Sequence, residues 1–207
     1  MAETADSRAA ILDAAQRLFM QDGYRGISMR QIAEAVGVTK AALYYHFQDK
    51  EDLFVAIVEQ YLLQMAALID QVTASGGQGG TVREQVGELV RRILAQPPEK
   101  RSIIRLASEE LGNIHPHHRA RYLELYHDRF VGRITALLQM GISRGELRAM
   151  DPNVATWSLL GMMYPYFHPT PPTQSAPTPA LIDQLLQIYF DGLAADRTAP
   201  HGHEVGG

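Results

Sequence analysis

Basic side chains outnumber acidic ones between positions 25 and 50 of this sequence, next to several hydroxyl-bearing and aromatic ones. Lysine and arginine neutralise phosphates and release counterions, while hydroxyl and main-chain donors hold a protein in register on a nucleic acid. The whole chain has a formal charge of −4, but the local charge decides phosphate contact. The stretch therefore predicts a phosphate-contacting surface. Its basic residues outnumber Glu34 and Asp49, and they are Arg25, Arg30, Lys40 and Lys50.

Two short helices joined by a tight turn are expected to position these side chains. Ser28 can cap the first helix, and Gln31, three residues later, completes a capping box. Gly37 stands where a left-handed residue would end this helix. The inward stripe of the helix consists of Ile32, Ala33 and Val36.

The second helix is predicted to begin after Thr39, which can cap it, while Val38 fills the turn. Leu43 and Phe47 are four residues apart and point inward. The spacing is typical of a helix-turn-helix over residues 28–47, in which the second helix enters the major groove and the first crosses the backbone. The side chains left near the exposed side of the second helix are Lys40, Tyr44, Tyr45 and His46.

The sequence of this motif resembles the DNA-binding domain of the TetR family of bacterial transcriptional regulators. The resemblance covers about the first quarter of the chain. It rests on 11–15, 18–19 and 23–24 upstream, and on Ile32-Ala33, Gly37-Val38-Thr39-Lys40, Leu43-Tyr44-Tyr45-His46-Phe47 and Asp49-Lys50-Glu51-Asp52-Leu53.

The resemblance implies DNA contact by the second helix and phosphate contact by Lys50 at the start of the following helix. Where Ala41 stands, the family often has glycine, which puts one close backbone approach to phosphate in doubt. The resemblance also implies a homodimer formed through the last two helices. The expected DNA-binding residues are Ser28, Arg30, Thr39, Lys40, Ala41, Tyr44, Tyr45, His46 and Lys50.

The rest of the chain is expected to be helical as well. Asp6 or Ser7 can cap a first helix that ends near Gln21, before a turn over 22–26. Asp49 can cap a long amphipathic helix that reaches from the DNA-binding module into the rest of the protein. Residues 75–80 are glycine-rich without the Lys-Ser/Thr of a phosphate-binding loop, which favours a flexible connector.

Beyond position 81 the apolar spacing again predicts helices and no strands. Pro165 is expected to kink or end the penultimate helix, ahead of a proline-rich loop over 168–179. The fold class is therefore all-α, with about nine helices. The later helices are expected over about 81–97, 103–113, 116–145, 151–165 and 181–193.

Three regions follow from these boundaries. Residues 1–50 form the helix-turn-helix DNA-binding domain, residues 51–196 form a helical effector-binding and dimerisation domain, and residues 197–207 form a flexible tail. The last two helices are apolar over a wide arc. They either meet a second subunit in a four-helix bundle or are buried inside one monomer, and the first arrangement is favoured.

Arg105 and Glu109 are four residues apart on a helix that otherwise faces the core. They form either a surface ion pair or the polar anchor of an apolar ligand pocket. The pocket interpretation predicts a small apolar or amphipathic effector. Its apolar wall would come from Tyr126, Phe130, Met140, Trp157, Met162 and Met163, each of which is also suited to plain core packing.

The cluster His115, His117 and His118 has the wrong spacing for two metal ligands on one helical face. Exposed loop histidines are the favoured interpretation, and no metal or other cofactor is predicted. His201 and His203 belong to the expected tail. The chain has no cysteine, which excludes a disulfide framework and a thiolate site.

The remaining composition favours a cytoplasmic protein without a membrane segment. The first residues are acidic and lack a signal-peptide hydrophobic region, and no apolar run approaches the ~20 residues of a bilayer span. No nucleophile–base pair, paired carboxylates or HExxH supports catalysis, so no enzyme is predicted. The sequence predicts a ligand-responsive repressor of a palindromic operator. The alternative is a ligand-independent DNA-binding regulator or activator.

Overall fold

The computed structural model describes residues 2–76, 80–167 and 177–192, with no strand among them. These residues form nine helices if the stretch over 116–143 is counted as one, which confirms the predicted all-α class. The expected tail over 197–207, half of the connector and most of the proline-rich loop lie outside the described residues.

The first three helices are α1 (Ala2–Gly26), α2 (Met29–Val36) and α3 (Lys40–His46). Helix α1 begins at Ala2, earlier than the predicted cap at Asp6 or Ser7. The predicted turn is present at Gly23, whose φ of 78° interrupts the helical backbone. A left-handed φ favours glycine because it lacks a Cβ. Phe19, Tyr24 and Phe54 pack edge-on or tilted here and connect α1 to α4.

Helix α4 (Lys50–Gly76) is the central element of the fold. It begins as predicted, because the Asp49 carboxylate accepts from the Asp52 amide at 2.7 Å. It packs against α1 and against most of the later helices. Its segment Lys50–Ser75 is long and apolar enough for a membrane span, but 61% of the most apolar stretch is buried inside the protein. The apolarity of α4 therefore belongs to the core of the fold.

Four of the later helices pack against α4, and the last two pack on members of those four. Thr81 and Glu84 cap α5 with a reciprocal pair of hydrogen bonds, and Asp151 caps α9 through the amide of Asn153. Pro165 lies in a short 3-10 turn that ends α9, as expected. The helices are α5 (Val82–Leu94), α6 (Pro98–Glu110), α7 (Pro116–Tyr126), α8 (Gly132–Ser143), α9 (Pro152–Met163) and α10 (Pro179–Asp191).

The predicted helix over 116–145 contains a π turn at His127–Val131 between α7 and α8. The backbone stays in the right-handed region, and the Gly132 amide donates to the His127 carbonyl, one residue beyond the α-helical partner. One extra residue in the turn shifts the register of the faces before and after it. The apolar spacing of the sequence does not reveal this insertion.

Helix α10 is attached to α5 by two arginine–aspartate pairs. Arg83 donates to Asp191 at 2.5 and 3.0 Å, and Arg91 donates to Asp183 at 2.8 Å. The hydrogen bonds from Arg83, followed by its charge, hold the pKa of Asp191 below its usual value. A carboxyl whose pKa is lowered by folding adds stability above its unfolded pKa of about 3.9 and loses it as the pH falls further.

Asp191→Asn is therefore expected to lower the melting temperature slightly at pH 7, because the pair is exposed to solvent. The difference from the parent protein should shrink as the pH falls below about 3.9 and vanish once the pH lies below the lowered pKa of Asp191 in the folded protein. Thermal melting of both proteins between neutral and acidic pH measures this. A difference that is the same at every pH would contradict the role assigned to the Asp191 charge.

Candidate nucleic-acid interface

Local hydrogen bonds hold α2 and α3 in their predicted geometry. The Ser28 hydroxyl accepts from the Gln31 amide at 3.3 Å, and the Gln31 side chain accepts from the Ser28 amide at 2.9 Å. Gly37 ends α2 with a φ of 75°, and the Thr39 hydroxyl accepts from the Ala42 amide at 3.1 Å. The predicted capping box, left-handed turn and second cap are all confirmed. The caps set the angle between the two helices from within the motif.

Helix α3 presents a polar and aromatic outer face. Leu43 is fully buried and Phe47 is 2% exposed, so they anchor the helix to the core. On the outer side, the side chain of Tyr45 is 79% exposed and that of Tyr44 is 43% exposed. The Lys40 ammonium lies 5.6 Å from the centre of the Tyr44 ring. Such exposure of large rings next to a cation suits contact with a partner surface.

The other expected contact residues differ in their solvent exposure and in the contacts that they already form within the protein. Ala41 is exposed, while His46 is half-buried with its ring near those of Tyr45 and Phe47. Arg30 is highly exposed and lies 3.7 Å from Glu34, too weak a pair to prevent phosphate contact. Ser28 and Thr39 use their hydroxyls as helix caps. The expected DNA contacts of Ser28 and Thr39 stay predictions.

Lys50 has a structural role that the sequence did not predict. Its ammonium donates to the carbonyl oxygens of Tyr24 and Ile27, both at 3.0 Å, and lies 4.4 Å from the centre of the Tyr24 ring. Burial lowers the pKa of Lys50, opposed by the charges of Glu110 and Glu51. Two of its three donors therefore join α1 to the start of α4. The expected phosphate contact, which would use the third donor, stays a prediction.

Lys50→Met is expected to destabilise the protein by about 1–3 kcal/mol, because two carbonyl groups lose their donor. Urea unfolding measures this loss. Lys40→Met is the matched control: its side chain is exposed, so its effect on unfolding should stay within about 0.5 kcal/mol. Equal stability of the two variants would show that the hydrogen bonds of Lys50 contribute nothing to the fold.

The first turns of α4, which follow the DNA-binding module, contact α7. Glu51 accepts from the His115 amide at 2.7 Å, and Arg121 donates to Asp52 at 3.2 Å and to Glu59 at 2.8 Å. These contacts attach the start of α7 to the first turns of α4, a few residues after α3.

The histidine cluster lies at the same junction. His115 and His117 are exposed, as expected, but His117 and His118 lie within α7, so the prediction of loop residues is wrong for both and the prediction of exposure is wrong for His118. His118 lies within α7 and is 5% exposed, because α7 packs on α4, and its Nε2 is 3.6 Å from a carboxylate oxygen of Asp49. Among the described residues, no group of three or more potential ligands is arranged to hold a metal ion.

The expected effector residues do not converge on one enclosed space. Arg105 donates to both carboxylate oxygens of Glu109 at 3.0 Å, as the ion-pair alternative predicts. Phe130 and Met163 are buried in the core, and Tyr126 and Met140 are partly buried against it. Trp157 is 56% exposed on the outer face of α9, away from the buried members of the set, and its assignment to a pocket wall stays a prediction.

Several buried polar groups were missed by the sequence reasoning. Arg101 is 6% exposed and donates to the carbonyls of Gln96 and Tyr166, at 3.2 and 2.9 Å. The hydroxyl of Tyr61 and the side-chain oxygen of Gln96 are buried without a hydrogen-bond partner in the described structure. Such groups carry a desolvation cost that favours a bound ligand or water.

The fold and the exposed face of α3 define a helix-turn-helix DNA-binding protein with a separate helical domain. Residues 11–57 match the family model described as bacterial regulatory proteins, tetR family. Residues 79–167 match the model described as tetracyclin repressor-like, C-terminal domain. The chain is 30% identical over 143 residues to the HTH-type transcriptional repressor AcnR of Corynebacterium diphtheriae, covering 68% of each chain. This chain belongs to the TetR family, whose members are DNA-binding transcription regulators and not enzymes.

Two further relatives match nearly the full length. The HTH-type transcriptional repressor KstR2 of Rhodococcus jostii is 26% identical over 189 residues, 91% of both proteins. The solved structure of AibR in complex with isovaleryl coenzyme A and operator DNA aligns with a TM-score of 0.65 and 26% identity. That alignment covers 89% of this chain and 98% of AibR. Regulators of this family bind operator DNA and small-molecule effectors and act as dimers.

Proposed function

We propose that this protein is a dimeric, sequence-specific repressor that binds a palindromic operator and is released by a small effector. The observation that carries the proposal is the outer face of α3, where Tyr45 is 79% exposed beside Tyr44 and Lys40. A helix in the major groove uses such side chains for phosphates and base edges. The proposed contact residues are Thr39, Lys40, Ala41, Tyr44, Tyr45 and His46, with Ser28, Arg30 and Lys50 on phosphates.

The dimer is proposed to form through α9 and α10. Val154 and Trp157 on α9 are 54% and 56% exposed, and Ile188 on α10 is 42% exposed. Exposed apolar side chains on adjacent helices are typical of a surface that a partner covers. A two-fold axis through this face gives each dimer two copies of α3. Two recognition helices related by a two-fold axis match an inverted repeat in the DNA.

The effector is proposed to be small and amphipathic and to bind among the helices of residues 51–196. AibR, with which the chain shares 26% identity, binds isovaleryl coenzyme A in its solved complex. The effector can release DNA only by binding the released state more tightly than the DNA-bound state. The contacts between α7 and the start of α4 provide a route from the effector domain to α3.

The proposal is tested by measuring operator affinity and repression together. An operator sequence is first selected from a random DNA library and placed over a promoter. Reporter expression should then fall when the protein is present and rise when effector is added. Effector affinity must then fall in the presence of operator by the same factor as operator affinity falls with effector. If effector and operator bind independently, the release mechanism is wrong. Increased reporter expression with the protein alone would support the activator alternative.

A further inference from the structure

Tyr61, in the middle of α4, has a polar group that the protein itself does not satisfy. Its side chain is 3% exposed, and its hydroxyl has no hydrogen-bond partner in the described structure. Burial raises the pKa of this hydroxyl, and the nearby charge of Arg101 opposes the shift only in part. The hydroxyl is therefore protonated at physiological pH and available as a donor. A buried donor without an acceptor indicates a place for a missing partner.

Tyr61 also lines a cleft of about 200 Å³ between α1, α4 and α6. Ile57 and Ile103, each 4% exposed, form its apolar part. Three glutamine side chains with amide donors surround the apolar part. They are Gln16, Gln60 and Gln64. Pockets for drug-sized ligands span about 300–1,000 Å³, so this cleft suits a smaller molecule.

The charge around the cleft is predominantly positive. Arg17 on α1 and Lys100 on α6 line it, against one carboxylate, that of Asp13. Neither cation forms an ion pair with a carboxylate among the described residues. Arg101 follows Lys100 and is buried with backbone carbonyls as its acceptors. The guanidinium of Arg101, whose charge acts on the Tyr61 hydroxyl, adds to a positive potential that favours an anion.

We propose that this α1–α4–α6 cleft binds a short aliphatic carboxylate as an effector. The carboxylate accepts a hydrogen bond from the Tyr61 hydroxyl and lies in the field of Arg17 and Lys100, while its alkyl chain packs on Ile57 and Ile103. This assignment rests on the proposed function, because it names the effector class through which operator binding is regulated. The cleft uses none of the residues expected for the effector pocket from the sequence.

The position of the cleft explains how such a ligand would regulate DNA binding. Helix α1 belongs to the DNA-binding module, whereas α6 belongs to the effector domain. The same two helices are connected at their other ends by the pair Arg25 and Glu110, 3.4 Å apart. A ligand between α1 and α6 would bias the spacing of the two helices. The recognition helix α3 belongs to the same DNA-binding module as α1. A change in the spacing between α1 and α6 would therefore also change the position of α3.

Tyr61→Phe separates a ligand-binding role from a structural one. The variant keeps the ring and removes only the hydroxyl, so an apo protein in which that hydroxyl has no partner should be equally stable or slightly more stable. Tyr122→Phe is the matched control, because Tyr122 is also a buried tyrosine, on α7, away from the cleft. Lys100→Gln is a second variant that removes a cleft charge from an exposed side chain.

The experiment measures operator release and melting temperature while sodium butyrate is added at constant ionic strength to the full-length protein. Butanol and inorganic phosphate are the comparison probes. Butyrate is expected to release operator and raise the melting temperature, and butanol and phosphate are expected to do neither. Tyr61→Phe should weaken the response to butyrate about 10-fold or more, Lys100→Gln should weaken it less, and Tyr122→Phe should not change it.

Three results would overturn the inference: no response of the parent protein to butyrate, an equal response to butanol, or an unchanged response in Tyr61→Phe. A response to phosphate alone would assign the cleft to a different anion and would equally overturn it. The proposed function has an independent readout in the same assay, which is operator binding without any added probe. A failure of the proposed function, seen as absent operator binding, is therefore distinguishable from a failure of the proposed carboxylate site.

Discussion

Tyr45→Ala is expected to weaken binding to the specific operator by about 10- to 100-fold without changing the stability of the protein. The ring of Tyr45 is 79% exposed and forms no part of the core, so its removal costs the fold little. In a major-groove complex the same ring and hydroxyl would meet DNA. Fluorescence anisotropy with labelled operator and with an unrelated duplex measures both affinities.

The Tyr45 prediction has a matched series of variants. Tyr45→Phe keeps the ring, so a loss in this variant reports on the hydroxyl alone. Leu63→Ala changes another exposed apolar side chain, 46% exposed on α4, and should bind operator as the parent protein does. An alanine variant of Tyr45 with unchanged operator affinity would show that the outer face of α3 does not contact DNA.

Trp157→Glu is expected to produce a monomer that no longer binds the full operator. The side chain of Trp157 is 56% exposed on α9, near the exposed Val154 on the same helix. Burying a carboxylate in an apolar interface without a partner is unfavourable, and the two-fold axis places two such charges in one interface. A monomer has one recognition helix, so the affinity gained from binding two half-sites is lost.

Analytical ultracentrifugation combined with operator binding tests this second prediction. The isolated variant should sediment as a folded monomer, because Trp157 lies outside the core. Leu123→Glu, a change to an exposed side chain on α7, is the control that should remain dimeric. A variant of Trp157 that stays dimeric and binds operator normally would place the subunit interface elsewhere.

The sequence predicted the elements whose signals are local. The capping box of Ser28 and Gln31, the left-handed Gly37 and the cap at Thr39 depend on residues within a few positions of each other. Such local capping interactions can be predicted from the sequence alone. The spacing of Leu43 and Phe47 likewise assigned the inner and outer faces of α3 correctly. The outer face that carries the proposed DNA contacts was therefore predictable.

The features that the sequence did not predict depend on contacts between distant segments. Lys50 reaches carbonyls more than twenty positions earlier, and His118 is buried only because α7 packs against α4. The π turn at His127–Val131 changes which faces of α7 and α8 point inward. Apolar spacing does not distinguish a core residue such as Phe130 from an exposed one such as Trp157.

The candidate ligand site also depends on contacts between distant segments, so the sequence did not predict it. Tyr61 occurs in a regular apolar stripe of α4, where the sequence indicates a core aromatic. The unpaired state of its hydroxyl becomes visible only when α1 and α6 are in place around it. By contrast, Arg105 and Glu109 were recognisable as a pair from their spacing, and the structure confirms the ion pair. Spacing along a helix identifies partners on that helix only.

Selection of bound duplexes from a random DNA library, at about physiological salt, tests the central claim most directly. The dimer with two exposed α3 helices predicts enrichment of one inverted repeat whose half-sites lie one or more helical turns apart. The same repeat should lose enrichment when Tyr45 is replaced by alanine. Recovery of no preferred sequence, or of single half-sites without a repeat, would contradict the account of a dimeric sequence-specific regulator.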